Sequence, residues 1–136
     1  MVKKHHLVGL FLLASLVSVM ALPAWAVSRE GREAYLMRDY ASAMKAFQDE
    51  GSADSLYMVG LMYDRGEGVQ EDKKEAAQWF RKAAELGDVR AQYRLGQMYQ
   101  YGYGVEQDNK EAAKWYRKAA GQGFESARNA LKSLGE

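Results

Sequence analysis

Between residues 53 and 123, apolar residues fall three and four apart, and the whole arrangement is written twice. Gly60-Leu-Met-Tyr-Asp-Arg-Gly66-Glu-Gly68-Val69 lies over Gly96-Gln-Met-Tyr-Gln-Tyr-Gly102-Tyr-Gly104-Val105 at an offset of 36 residues. The same offset holds through Asp72/Asp108, Glu75/Glu111, Trp79/Trp115, Lys82/Lys118 and Gly87/Gly123. Each copy reads as helix, Gly-rich turn, helix and glycine stop, which is the signature of a stacked repeat.

The first helix of each copy is predicted over Ala53–Arg65 and Val89–Tyr101. On a helical wheel Ala91, Leu95, Met98 and Tyr99 share one arc with Gln92 and Gly96. The matching set is Ser55, Val59, Met62 and Tyr63 with Gly60. A helical glycine costs about 1 kcal/mol relative to alanine, so keeping it at 60 and 96 predicts a neighbouring helix too close for a Cβ. The second helices begin at Asp72 and Asp108, where Asp72-x-x-Glu75 and Asp108-x-x-Glu111 resemble capping boxes. Ala76, Trp79, Phe80, Ala83 and Ala84 then follow at helical spacing, as do Ala112, Trp115, Tyr116, Ala119 and Ala120. Small residues admit close packing and the aromatics fill the gaps, so both tryptophans are expected in the core rather than in a ligand cage. Gly87 and Gly123 supply the left-handed residue that ends a helix.

Glu30 to Met37 and Tyr40 to Glu50 look like a shortened, degenerate pair, with Asp39 as cap and Ala43 and Phe47 in the places of Ala76 and Phe80. Ser126 to Leu134 begins another first helix, but Leu131-Lys132 replaces the Val59-Gly60 and Leu95-Gly96 pairs, as suits a capping helix with a polar outer side. The division is therefore 1–26, 27–51, 52–87, 88–123 and 124–136.

Composition sharpens this picture. The chain of 136 residues has no isoleucine, threonine or cysteine, leaving valine as its only β-branched residue, which excludes a sizeable sheet and predicts an all-α fold. Lys3 and Lys4, the apolar run Leu7 to Leu22, Pro23 and Ala24-Trp25-Ala26 predict a signal peptide cleaved after Ala26. That run is shorter than the about 20 residues of a membrane span, so export to the periplasm or beyond without a stable anchor is expected. Cleavage removes both lysines and turns the net charge of +1 into −1, which gives no basis for binding nucleic acid. It also removes His5 and His6, so no Cys–His pair, triad or usual zinc site can be built, and no cofactor signature is present.

The pattern Ala91-Gln-x-x-Leu95-Gly96-x-Met98-Tyr99-x-x-Gly102-x-Gly104-Val105-x-x-Asp108, continued by Ala112, Trp115-Tyr116 and Lys118-Ala119-Ala120, resembles a Sel1-like repeat. This tetratricopeptide-related likeness implies a right-handed α-solenoid of antiparallel helix pairs whose first helices line a concave face. Some exported relatives staple each unit with a disulfide. This chain cannot, so the β-lactam or penicillin binding suggested for that subgroup does not carry over.

Opposite the core arc lie Asp54, Tyr57, Met58, Leu61 and Arg65 in one unit and Arg90, Tyr93, Arg94, Gln97 and Tyr101 in the other. Apart from the tyrosine pair these differ between units while core positions repeat, so packing does not dictate them. Tyr, Met and Arg are enriched in interface cores, and these ten residues are the candidate partner surface. The expected role is a non-catalytic adaptor holding a protein or peptide, with a single helix or loop as guest in so short a groove. An immunity or inhibitor protein guarding against a secreted toxin is the alternative, and a cell-wall-acting enzyme relying on carboxylates and tyrosines is a remote one. Gly66-x-Gly68 and Gly102-x-Gly104 follow a helix and lack a P-loop Lys-Ser/Thr, so they read as turns. Lys110, Lys114, Arg117 and Lys118, beside Arg81 and Lys82, read as a solvated convex strip.

Overall fold

The computed structural model describes residues 24–136, with side chains from Arg29 onward; the expected signal segment up to Pro23 lies outside the described residues. Among the described residues seven helices follow one another: α1 (Ala24–Leu36), α2 (Tyr40–Glu50), α3 (Ala53–Arg65), α4 (Lys73–Glu85), α5 (Val89–Tyr101), α6 (Asn109–Gly121) and α7 (Glu125–Ser133). No strand occurs among the described residues. No described helix is long and apolar enough to cross a membrane. The repeat helices fall at the bounds read from the sequence. By contrast, α1 begins earlier than Glu30, since no glycine or proline between Ala24 and Glu30 stops it.

Side-chain caps set the starts. The Asp72 carboxylate accepts from the Lys74 and Glu75 amides, Asp108 from those of Lys110 and Glu111, and Asp39 from Ser42. The return half of a capping box is absent for a physical reason. The Asp72 and Asp108 amides already donate to the carbonyls of Tyr63 and Tyr99, both at 2.9 Å, tying each second helix to its own first helix.

Each helix packs on the one before it and the one after it, producing an all-helical solenoid. Three close approaches fix the hairpins. A Cβ on Gly60 would lie 2.6 Å from the Phe80 ring, one on Gly96 2.5 Å from the Tyr116 ring, and one on Gly31 2.6 Å from the Phe47 ring. Phe47, Phe80 and Tyr116 are fully or almost fully buried, and each ring is pressed against the backbone of the partner helix at its glycine. Gly31 therefore makes the degenerate α1–α2 pair a true unit, shortened by loss of the long turn.

The Gly-rich turns dock unit on unit. Gly104 has φ +69°, and a Cβ there would sit 2.1 Å from the Lys73 carbonyl at the start of α4. Gly68 similarly meets Tyr40 at the start of α2. Trp115 is buried between α4, α5 and α6, while Trp79 is half-buried at the seam with the α2–α3 layer. At the last helix, Lys132 is exposed where the repeat has glycine.

Candidate functional site

The first helices α1, α3 and α5 stand in a row, and polar side chains link them across the unit boundaries. Asp54 accepts from Arg32 and from Arg90, each at 2.6 Å, and Arg90 also reaches Asp88 at 2.5 Å. Positions 54 and 90 are equivalent in the repeat, so corresponding residues of successive units carry opposite charge and bond to each other. The Arg90 guanidinium lies 4.2 Å from the centre of the Tyr57 ring, a cation–π contact. The Arg90 pKa is raised, first by its hydrogen bond to Asp88 and, against the effect of burial, by Asp54. Burial pushes the Asp54 carboxyl up, but the hydrogen bonds from Arg32 and Arg90 outweigh it and hold its pKa below the ordinary value.

A second group closes the edge of this row. The Lys73 ammonium contacts the Asp64 carboxylate at 3.0 Å and Glu71 at 3.3 Å, with Arg94 reaching Asp64 at 3.5 Å. Between α1 and α3, the Tyr35 hydroxyl donates to Glu67 at 2.6 Å, with Arg65 beside both.

Recesses punctuate the row. One of about 330 Å³ is walled by Asp64, Lys73, Arg94, Gln97, Tyr101 and Tyr103 above Phe80 and Met98. Another, also about 330 Å³, is bounded by Tyr57, Arg90, Tyr93, Arg94, Gln97 and Phe124. A third, of about 310 Å³, lies among Arg32, Tyr35, Leu36, Asp54, Met58 and Arg90.

Of the ten residues singled out in the sequence, Asp54, Tyr57, Met58, Arg90, Tyr93, Arg94, Gln97 and Tyr101 line one or more of these recesses. Arg65 is exposed beside Tyr35. Leu61 corrects the expectation of an outward position: it is only 7% exposed and packs in the cluster of Ala76, Ala77, Phe80 and Met98. The wheel of an isolated α3 places Leu61 outside, but α4 of its own unit and Met98 of the next cover it.

Arg32, Tyr35, Asp64, Lys73 and Tyr103 belong to the same surface and escaped the sequence reading. The available signal was divergence at equivalent positions, such as Asp64 against Gln100, applied beyond the outer arc. The basic strip on the second helices is largely engaged. Lys82 and Lys118 lie over the rings of Trp79 and Trp115 at 4.0 and 4.3 Å, Arg117 pairs with Glu136, and Lys114 pairs with Glu111. Among the described residues no cluster of His, Cys, Asp and Glu is arranged to hold a metal ion. Asp72 and Glu75 meet at a helix cap.

The family model for the Sel1 repeat matches residues 53–88 and 89–124. Among solved structures, a Sel1 repeat protein from Oxalobacter formigenes is similar at 35% identity and a TM-score of 0.73, over 79% of this chain and 45% of that one. A protective antigen present in uropathogenic Escherichia coli strains, displaying an SLR fold, matches at 32% identity and a TM-score of 0.76, over 82% of this chain and 26% of that one. Helicobacter pylori cysteine rich protein B matches at 29% identity and a TM-score of 0.64, over 67% and 71%. The chain thus spans less than half the length of the first two, and unlike the third it has no cysteine. No curated protein matches it.

Proposed function

Because the chain belongs to the Sel1 repeat family, whose fold is a protein–protein interaction scaffold and typically non-catalytic, we propose that it is an exported adaptor holding a protein or peptide along the α1–α3–α5 row. The observation that carries the reading is the contrast between the two sides of each first helix. Toward the second helices the residues repeat and are consumed by packing. Toward the row they diverge between units and form recesses rimmed by Tyr, Met and Arg, the residue types enriched at interface centres. The ion pairs linking Arg32, Asp54 and Arg90 hold the helices of the row in register before a partner arrives, which lowers the ordering cost of binding. Export rests on the N-terminal pattern from Lys3 to Ala26, and N-terminal sequencing of the protein recovered from the periplasm tests it.

Site-specific photocrosslinking in cells tests the adaptor role. A photoreactive residue at Tyr57 or Tyr93 is expected to yield discrete protein adducts, whereas one at Glu85 or Lys114, on the second helices, is not. Adducts of the same identity and yield from both faces, or from neither, would remove the reading.

A further inference from the structure

Comparing the two unit boundaries shows that a pair of equivalent positions is bridged at one and lines a recess at the other. By their places relative to Gly31 and Gly60, Tyr35 of α1 corresponds to Asp64 of α3, and Glu67 corresponds to Tyr103 one unit later. At the first boundary the Tyr35 hydroxyl reaches Glu67 across the seam, with Arg65 alongside. At the second boundary the corresponding residues, Asp64 and Tyr103, both line a recess of about 330 Å³. Repeat packing does not dictate an opening at this position, since the equivalent pair is hydrogen-bonded one unit earlier, where the recess lies to the side of Tyr35, among Arg32, Leu36, Asp54, Met58 and Arg90.

The recess at the second boundary has a definite chemistry. Its floor is Phe80 and Met98, and its rim is the exposed pair Tyr101 and Tyr103, 57% and 56% exposed with ring centres 5.7 Å apart. Such a recess takes one large apolar or aromatic side chain. Arg94 stands on its edge and also lines the neighbouring recess, where Arg90 and Arg94 are present and no carboxylate is. Arg90 is held by Asp54 and Asp88 at 2.5–2.6 Å, but Arg94 has Asp64 only at 3.5 Å, and Lys73 holds that carboxylate more closely at 3.0 Å. Arg94 is therefore less closely paired than Arg90, and the neighbouring recess that it lines has no carboxylate in its wall.

Resting on the adaptor reading, we propose that the second unit boundary is a recognition site for an acidic–aromatic peptide segment. The segment seats a large apolar side chain beside the Tyr101–Tyr103 pair, over Phe80 and Met98, and an adjacent Asp or Glu carboxylate meets the Arg94 guanidinium. Carboxylate–guanidinium pairing is charge-assisted and directional, so it fixes which way the segment runs.

The probes are acetylated, amidated glycine–serine hexapeptides carrying Glu-Phe, Gln-Phe or Glu-Ala at their centre. They are titrated into ¹⁵N-labelled protein recovered from cells expressing the full chain, with amide shifts read by NMR. The Glu-Phe peptide is expected to give saturable shifts confined to the neighbourhood of residues 64, 94–98 and 101–104. The Gln-Phe and Glu-Ala peptides are each expected to bind at least about fivefold more weakly. Arg94→Gln should cost the Glu-Phe peptide a similar factor and the Gln-Phe peptide almost nothing, the coupling expected of a direct contact. Asp64→Tyr with Tyr103→Glu, which transplants the bridging pair of the first boundary, should abolish binding while circular dichroism stays unchanged. If that double variant does not fold, the Arg94→Gln comparison decides alone. Equal binding of the Glu-Phe and Gln-Phe peptides, shifts mapping elsewhere, or no saturable shift would overturn the proposal. Photoadducts on the row together with any of those results would remove the acidic–aromatic specificity while leaving the adaptor reading intact.

Discussion

Replacing Gly60 with alanine sets two effects of opposite sign against each other. Alanine in a helix interior is favoured over glycine by about 1 kcal/mol, so on propensity alone the variant would be more stable. The new Cβ, however, would stand 2.6 Å from two carbons of the Phe80 ring. Phe80 is 0% exposed and packs among Leu61, Ala76, Ala77 and Met98, so the ring can yield only toward the recess it floors, giving up that packing. Overpacking of a core costs about 1–3 kcal/mol, and a contact this short, to two ring carbons at once, belongs at the upper end. The net expectation is a loss of about 2 kcal/mol. In urea, with a slope of about 2 kcal/mol per molar, the midpoint followed by circular dichroism should fall by about 1 M. Gly121→Ala is the control: it is also helical, but nothing lies within 4 Å of its new Cβ, and it should gain a few tenths of a kcal/mol. A Phe80→Leu background, which shortens the obstructing side chain, should remove most of the Gly60→Ala penalty. A Gly60→Ala midpoint equal to or above that of the parent chain would refute the claim that the ring lies on the helix backbone.

Asp72→Ala removes the acceptor for the Lys74 and Glu75 amides and should cost about 1 kcal/mol in urea unfolding, as should Asp108→Ala; no change in midpoint would contradict the capping role. Gly104→Ala combines a left-handed backbone with a Cβ 2.1 Å from the Lys73 carbonyl. It should lower stability more than Gly66→Ala, whose nearest contact is 3.2 Å, and equal midpoints would argue against turn-to-helix docking. Because the folded pKa of Asp54 is depressed, the unfolded state binds the extra proton first as pH falls. Its contribution is thus complete above the ordinary value of 3.8 and lost as pH drops through the lower folded value. Carboxyl NMR should find Asp54 titrating below 3.8, and Arg32→Gln with Arg90→Gln should move it upward; a midpoint at or above 3.8 in the parent chain would refute the pairing.

The features legible in the sequence were those written into each unit. The 36-residue offset, the capping aspartates and the glycines after each helix fixed the helix bounds, because a hairpin is a local object and its signals lie within it. What escaped belongs between units. Leu61 reads as outward on its own helix and is buried where α4, with Ala76, Ala77 and Phe80, and α5, with Met98, close over it. Gly31 performs the same task as Gly60, but the shortened first pair puts it 29 residues away, where a search at 36 does not find it. Asp64, Lys73 and Arg94 converge from α3, α4 and α5, and no spacing within one helix announces that meeting.

The two buried-side indoles, one per unit, have a practical consequence. Trp115 is 3% exposed, Trp79 is only partly covered, and each carries a lysine ammonium over its ring. Variants retaining a single one of these chromophores would make each hairpin report its own melting by emission wavelength. Optical titration would then distinguish an array that dissolves as a whole from one that frays from an end.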